Sequence, residues 1–258
     1  MMLYQHKATQ LTSGEPDDVQ SLTTLARYYP YPAPLDRPFV RANMVASIDG
    51  ASAVQGRSGG LGGAGDRAIF RVLRGLADVV VVGARTATTE GYRQPQTDDA
   101  FAAARDAAGQ AGAPLLALVS NSLSIDPDYP PLANAATVVL TCADAPADRR
   151  HALLDRGATL VECGTTEVSI GQVLAYLDGR GLRRVLCEGG PRLLGTVAAD
   201  GLLDDLCVTT SPTLVAGDSA RIIAGPTLAQ MPSMAVAHTL SDDDGYVFTR
   251  WARNDVSG

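Results

Sequence analysis

Four consecutive β-branched residues, Val79-Val80-Val81-Val82, are followed at once by Gly83. No face of such a run is polar, so a strand made from it must be covered on both sides. A sheet layered by helices on both faces provides that cover, which places the chain among α/β proteins.

The neighbouring patterns agree. Short apolar runs at 39–47, 115–119, 137–140, 159–163 and 185–187 read as further strands. Residues 66–76 have helical spacing, with Ile69, Val72, Leu73 and Leu76 on one face. Ile170, Val173, Leu174 and Leu177 repeat that spacing, and Gly179 and Gly181 follow as a stop signal. Strands alternating with helices imply right-handed crossovers and a mostly parallel sheet. Beyond residue 204 the pattern changes. Runs at 206–211, 235–240 and 246–251 look like strands without helices between them, the last two joined by the turn Asp242-Asp243-Asp244-Gly245. An antiparallel C-terminal edge on the parallel sheet is expected. Residues 1–37 are polar, with the Tyr/Pro-rich stretch Tyr28-Tyr29-Pro30-Tyr31-Pro32-Ala33-Pro34. They are expected to form an extended arm over the domain or a partner subunit, with 38–258 as one domain.

Composition removes several function classes. The 258 residues are 46% hydrophobic and 19% charged, enough for a core without disulfide staples. The net charge is -7 and basic residues do not cluster, which argues against a nucleic-acid surface. An anionic ligand would therefore need local backbone N–H groups and a few arginines. No segment approaches the roughly 20 apolar residues that span a bilayer, and the first ten carry no apolar signal core. The expectation is a cytoplasmic protein. Cys142, Cys163, Cys187 and Cys207 lie in or beside apolar runs without CxxC spacing, as buried reduced thiols do. With three histidines and no HxE, PCxxC or HExxH, no metal is expected, and a zinc nucleobase deaminase is disfavoured.

Ligands of parallel α/β sheets bind beyond the carboxyl ends of the strands. One such end is Glu188-Gly189-Gly190-Pro191. Two glycines admit close backbone approach, and Pro191 suits the first position of a helix whose free N–H groups attract phosphate. A plain tight turn between strand and helix would look the same. Asp49, between an apolar strand and Gly50, is either a half-buried carboxylate with raised pKa or an Asp-Gly turn. Arg85 and Thr86 follow the valine strand and should face the same crevice. Glu90, Arg93 and Arg74 read equally well as surface charges. The glycine-rich stretch 59–65 lacks a preceding strand, so it is not a dinucleotide fingerprint; a mobile loop or a phosphate cradle fits it equally.

Four blocks, in order, resemble a known family. Arg37-Pro38-Phe39-Val40 with Ala46-Ser47-Ile48-Asp49-Gly50 resembles an RPxV…SLDG opening. Residues 73–86 resemble an LRA–ADAVLVGxxT segment. Leu186-Cys187-Glu188-Gly189-Gly190-Pro191 with Leu193-Leu194-Gly195 resembles EGGxxLxxxL. Leu202-Leu203-Asp204-Asp205-Leu206 with Ser211-Pro212 resembles LVDEL…AP. Together they resemble the pyrimidine reductase domain of bacterial riboflavin synthesis, in a stand-alone form without the usual deaminase domain. The family is similar to dihydrofolate reductase in fold, which implies a three-layer α/β sandwich; the family likeness, with the Tyr/Pro arm, suggests a homodimer.

The resemblance implies NADPH as cofactor and a heterocyclic small molecule, 5-amino-6-(5-phosphoribosylamino)uracil, as substrate. Gly189 and Gly190 would hold the pyrophosphate. Gly83, Arg85 and Thr86 would line the cofactor groove, Ser120, Asn121 and Gly164 the adenosine part, and Ala46 and Ser47 the nicotinamide edge. Ser58, Arg74, Glu90 and Glu188 match positions near the substrate, and Asp49 would orient the heterocycle or deliver a proton. Where the family has DxPxLTxR, this chain has Glu90-Gly91-Tyr92-Arg93-Gln94-Pro95-Gln96, and the last arginine has no counterpart unless Arg93 replaces it. That departure keeps two alternatives open: a reductase of a folate-like pterin, and an NADPH-binding protein without turnover.

Overall fold

The computed structural model describes residues 9–10, 18–225, 227–229 and 231–254. Among these residues ten strands form one sheet: β1 (Thr9–Gln10), β2 (Phe39–Ser47), β3 (Val79–Gly83), β4 (Leu115–Val119), β5 (Thr137–Thr141), β6 (Leu160–Glu162), β7 (Arg184–Cys187), β8 (Asp205–Ser211), β9 (Met234–Ser241) and β10 (Val247–Arg253). Their order across the sheet is β1-β9-β10-β8-β2-β7-β3-β4-β5-β6. From β8 to β6 every pairing is parallel, as the alternation of strands and helices predicts. The antiparallel portion is made by β10, which follows the expected turn at 242–245 and inserts between β8 and β9, antiparallel to both.

Among the described residues seven α-helices accompany the strands: α1 (Val19–Ala26), α2 (Ala64–Leu76), α3 (Ala84–Glu90), α4 (Asp99–Ala107), α5 (Ala147–Leu154), α6 (Ile170–Asp178) and α7 (Pro191–Ala199). The valine run explains the layering. Val80 and Val82 pack with Leu116, Leu118 and Val139 against Val72 and Leu73 of α2 and Phe101 of α4. Val79 and Val81 point the other way, with Ala117 and Leu140, against Val173 and Leu177 of α6 and Leu194 and Val197 of α7. Each strand thus divides its side chains between two cores by the two-residue period, and the three layers follow.

The N-terminal segment departs from the expected arm. Residues 1–8 and 11–17 of it lie outside the described residues. Residues 19–26 are helical, not extended. Asp18 caps α1 by accepting the Ser21 N–H at 3.0 Å, and Leu22 and Leu25 sit in the core. Polar composition masked an amphipathic helix of about two turns with only two core residues. The Tyr/Pro stretch after it is pinned by a buried charge. Arg41 on β2, fully buried, donates to the carbonyls of Tyr29 (2.7 Å) and Pro30 (2.8 Å) and twice to Asp205 of β8. Arg250 of β10 reaches the same Asp205 oxygen at 2.8 Å and the Tyr28 carbonyl. A buried guanidinium needs this many acceptors to offset its lost hydration.

Candidate active site

The register of β2 decides where the sheet opens. β2 pairs with β7 only from Phe39 to Ala42, opposite Arg184 to Cys187. On its other side it pairs with β8 as far as Ser47. Past Ala42 the β7 side of β2 is uncovered, because β7 turns away through Glu188-Gly189-Gly190 into α7. Here too the connections diverge: α2 leads from β2 to β3 over one face, and α7 from β7 to β8 over the other. Such a switch point is where open α/β sheets bind ligands. A cleft of about 1210 Å³ starts there.

One wall carries the glycine turns. The Gly83 N–H donates to the Gly189 carbonyl at 2.8 Å, so the ends of β3 and β7 lie back to back. Gly189 has φ +84°, a left-handed value that favours glycine. Gly190 is the N-cap of α7, has no side-chain cap, and is followed by Pro191. Gly83, Arg85, Thr86, Ser120, Asn121 and Gly190 all line the cleft. A Cβ on Gly190 would collide with the Thr86 hydroxyl, so this glycine is also required by its protein neighbour.

Acids line the cleft as well. Ser58, Glu90 and Glu188 line it, and the Ser58 N–H donates to a Glu90 carboxylate oxygen at 2.8 Å. Arg74 is turned away from the opening. Its Nε and Nη2 each bind one Glu188 oxygen at 2.7 Å, and its guanidinium lies 4.1 Å from the Phe70 ring centre and 5.1 Å from that of Tyr92. The Glu188 side chain is only 2% exposed, so this is a desolvated, bidentate pair. Burial, with Glu188 alongside, pushes the Tyr92 phenol well above its ordinary pKa and keeps it neutral.

Several expected residues lie elsewhere. Ala46 and Ser47 are buried where β2 still pairs with β8, and the cleft is lined instead by Asn43, Met44 and Val45, at the uncovered edge. Gly164 does not line it. Its φ is +139° and a Cβ would strike the Glu167 carbonyl, so glycine serves a turn that presents Glu167 and Val168 to the cleft. Asp49 departs furthest. It is exposed and outside the lining. Its carboxylate accepts the Ser47 hydroxyl and the N–H groups of Ala216 (2.6 Å) and Val215 (3.2 Å). The Ser47 hydroxyl, then these two N–H groups, hold its pKa below the usual carboxylate value, the reverse of the expected rise. The carboxylate follows a buried strand but leaves the sheet with the loop.

Two features were not read from the sequence. Asp66, in the first turn of α2, lines the cleft, and burial raises its pKa against the opposing pull of the Thr209 hydroxyl. An acid in a helix's first turn is commonplace, so only its position opposite β8 singles it out. The second is the segment 213–224, which crosses the cleft. Ala220 O accepts from Ser52 N and Oγ, the Ser219 hydroxyl donates to Ala53 O, and Ala224 N donates to Pro191 O. The stretch 59–65 proves to be neither mobile loop nor phosphate cradle at its far end: a Cβ on Gly63 would meet the Tyr246 ring, and one on Gly65 would meet Phe248 and Asp242. Those glycines let α2 press against the β9–β10 hairpin.

Known proteins share this architecture. Residues 38–248 match the model of the RibD C-terminal domain family. A 2,5-diamino-6-ribosylamino-4(3H)-pyrimidinone 5′-phosphate reductase of Methanothermobacter thermautotrophicus is 27% identical over 187 residues, 72% of this chain and 83% of that protein. The solved structure of a pyrimidine reductase-like protein from Corynebacterium diphtheriae superposes with a TM-score of 0.75 at 27% identity, covering 84% of this chain and 92% of that one. RibD of Acinetobacter baumannii matches with a TM-score of 0.66 at 20% identity, covering 84% of this chain and 58% of that one. Among the described residues no helix is long and apolar enough to cross a membrane.

Proposed function

The chain belongs to the RibD C-terminal domain family, and on that premise we propose that it reduces a 6-(5-phosphoribosylamino)pyrimidine of riboflavin synthesis with NADPH. The observation that carries the reading is the cleft at the β2–β7 split, with a glycine turn pair on one wall and a half-buried acid, Asp66, on the other. The curated relative acts, by its name, on the 2,5-diamino pyrimidinone. The substrate proposed here is therefore that compound or the corresponding uracil.

The residues suit a nicotinamide dinucleotide. A Cβ on Gly83 would stand 3.6 Å from the Gly190 nitrogen, filling the space between the two turns. The uncapped N–H groups at the start of α7 suit a pyrophosphate. Arg85, Ser120, Asn121 and Ser122, beyond β3 and β4, would then meet the adenosine end, and an exposed arginine among hydroxyls favours the 2′-phosphate of NADPH over NADH. When bound, the nicotinamide supplies a hydride to the carbon of a C=N bond, here the ring-opened ribose carbon attached to the amine. The nitrogen of that bond then gains a proton. Asp66 is suited to deliver it, directly or through water, because burial keeps its carboxyl protonated to higher pH than a free one. Segment 213–224 would limit water in the cleft. The reading includes a cytoplasmic homodimer, which rests on the family likeness; light scattering of the purified protein tests the dimer.

One observation favours a second reading, a pterin reductase. Arg74, which the resemblance places near the substrate and whose charge would suit a sugar phosphate, is held by Glu188, and Tyr92 stands in the altered segment beside it. A pterin has no sugar phosphate to anchor. NADPH oxidation assayed with the diamino pyrimidinone phosphate, the uracil phosphate and dihydrofolate separates the readings. Turnover of either pyrimidine, reduced about 100-fold or more in Asp66→Asn, supports the first. Turnover of dihydrofolate alone supports the second, and NADPH binding with no turnover points to a non-catalytic NADPH-binding protein.

A further inference from the structure

Three arginines line the cleft: Arg67, Arg85 and Arg192. Arg85 and Arg192 each lie two residues past the glycine turns, at Gly83 and Gly190, on the wall suited to the dinucleotide. Arg67 lies on the other wall, in α2. Along that helix Asp66, Phe70 and Arg74 recur every four residues and so share a face. Asp66, Arg67 and Phe70 open on the cleft. Arg74, one turn further, closes against Glu188, Phe70 and Tyr92. The floor of the cleft therefore ends before Arg74.

We propose that Arg67, in place of Arg74, anchors the phosphate monoester of the substrate; this rests on the pyrimidine reading above. The charge accounting supports it. Arg74 has its two best donors on a carboxylate whose side chain is 2% exposed, and releasing them would leave that carboxylate buried and unpaired. Arg67 is exposed and makes no side-chain hydrogen bond or ion pair with the described residues, although it lies in the field of Asp66. Its guanidinium is free for a bidentate contact with phosphate. The base of its side chain is fixed, because Gly63 and Gly65 seat the first turn of α2 against Tyr246 and Phe248. A substrate that reached both Asp66 and Arg67 would be gripped at a proton donor and at its anionic end by adjacent residues.

The test compares Arg67→Gln with wild type on the phosphorylated pyrimidine and its dephosphorylated analogue, and measures calorimetric binding of ribose 5-phosphate to both proteins in the presence of NADP. Loss of one charge-assisted contact is expected to lower kcat/KM about 10- to 100-fold more for the phosphorylated compound than for the analogue. Ribose 5-phosphate binding should weaken by a similar factor, with the melting temperature kept. Equal losses on both substrates, or unchanged ribose 5-phosphate binding, would overturn the assignment. If wild type turns over neither pyrimidine, the binding experiment still decides: Arg67-dependent ribose 5-phosphate binding upholds the anchor while the pyrimidine reading falls, and Arg67-independent or absent binding overturns the anchor as well.

Discussion

The carboxylate of Asp49 accepts the backbone N–H of Ala216 at 2.6 Å, tying the loop after β2 to the segment that crosses the cleft. Val215 N–H and the Ser47 hydroxyl complete its coordination. An acid that must release a proton during turnover would not be held ionised in this way. Asp49→Asn keeps one acceptor oxygen and loses the charge. The hydride-transfer rate, followed by stopped flow at saturating ligands, should fall less than about tenfold, short of the roughly 100-fold minimum for a lost general acid. KM for the substrate should rise, because the crossing segment is less well held. A loss of 100-fold or more in the rate with KM unchanged would restore Asp49 as the acid.

The pair Arg74–Glu188 yields a stability prediction. Removing one partner of a buried ion pair strands the other charge. Arg74→Met alone should cost about 3 kcal/mol, as should Glu188→Leu alone. The double variant should cost clearly less than the two losses added, since neither charge is then stranded. Denaturant unfolding of all four proteins closes this cycle. Additive losses would mean that the two side chains do not depend on each other.

Glycines of a single stretch should behave differently. A Cβ on Gly65 would come within 2.6 Å of the Phe248 ring and 2.7 Å of an Asp242 carboxylate oxygen, whereas one on Gly59 meets nothing within 4 Å. Gly65→Ala is expected to destabilise by about 1–3 kcal/mol, as overpacking does. Gly59→Ala should stay within about 0.5 kcal/mol of wild type. Thermal melts of the two variants suffice, and equal effects would show that the stretch yields as a unit.

These contrasts mark how far the sequence could be read. The layered sheet was legible from Val79 to Val82, because a two-residue period with no polar face has one solution. Phe39–Ser47 and Leu115–Val119 emerged as strands with the bounds expected of them. Gly83 and Gly190 were legible because they sit where a strand ends. Asp49 was expected at the cleft and lies outside its lining for a physical reason. Which residues of β2 face the opening depends on where β7 stops pairing with it, and that is set by the turn at Gly189, far away in sequence. Helix α1 was missed because two core leucines in eight residues give little periodicity against a polar background. Asp66 carried no local signal, since its half-buried place in the cleft, beside the Thr209 hydroxyl of β8, depends on residues far away in sequence.

The last prediction concerns pH. The imidazole of His238, on β9, packs edge-on against the rings of Tyr28 (5.6 Å) and Tyr29 (4.9 Å). Its Nε2 is buried without a hydrogen-bond partner. Burial, then the nearby Arg250 and Arg41, lowers its pKa to about 4, with Asp205 pulling the other way. The folded protein therefore holds the neutral ring, while the unfolded chain takes up a proton near the ordinary value of about 6.5. Between those values the unfolded state binds more protons, so stability rises with pH. The contribution is fully present above about pH 6.5 and is lost progressively as the pH falls towards 4. Because the ring is only partly buried, solvent screening reduces it to about 1 kcal/mol. His238→Gln, uncharged throughout, should flatten the pH dependence of stability across this window while leaving the loss below pH 4, due to carboxylates, in place. Chemical denaturation of both proteins at pH 7, 5.5 and 4.5 measures the difference. Parallel curves for the two would show that the ring is protonated in the folded state at the same pH as in the unfolded chain, and the slope would then have to come from the carboxylates alone.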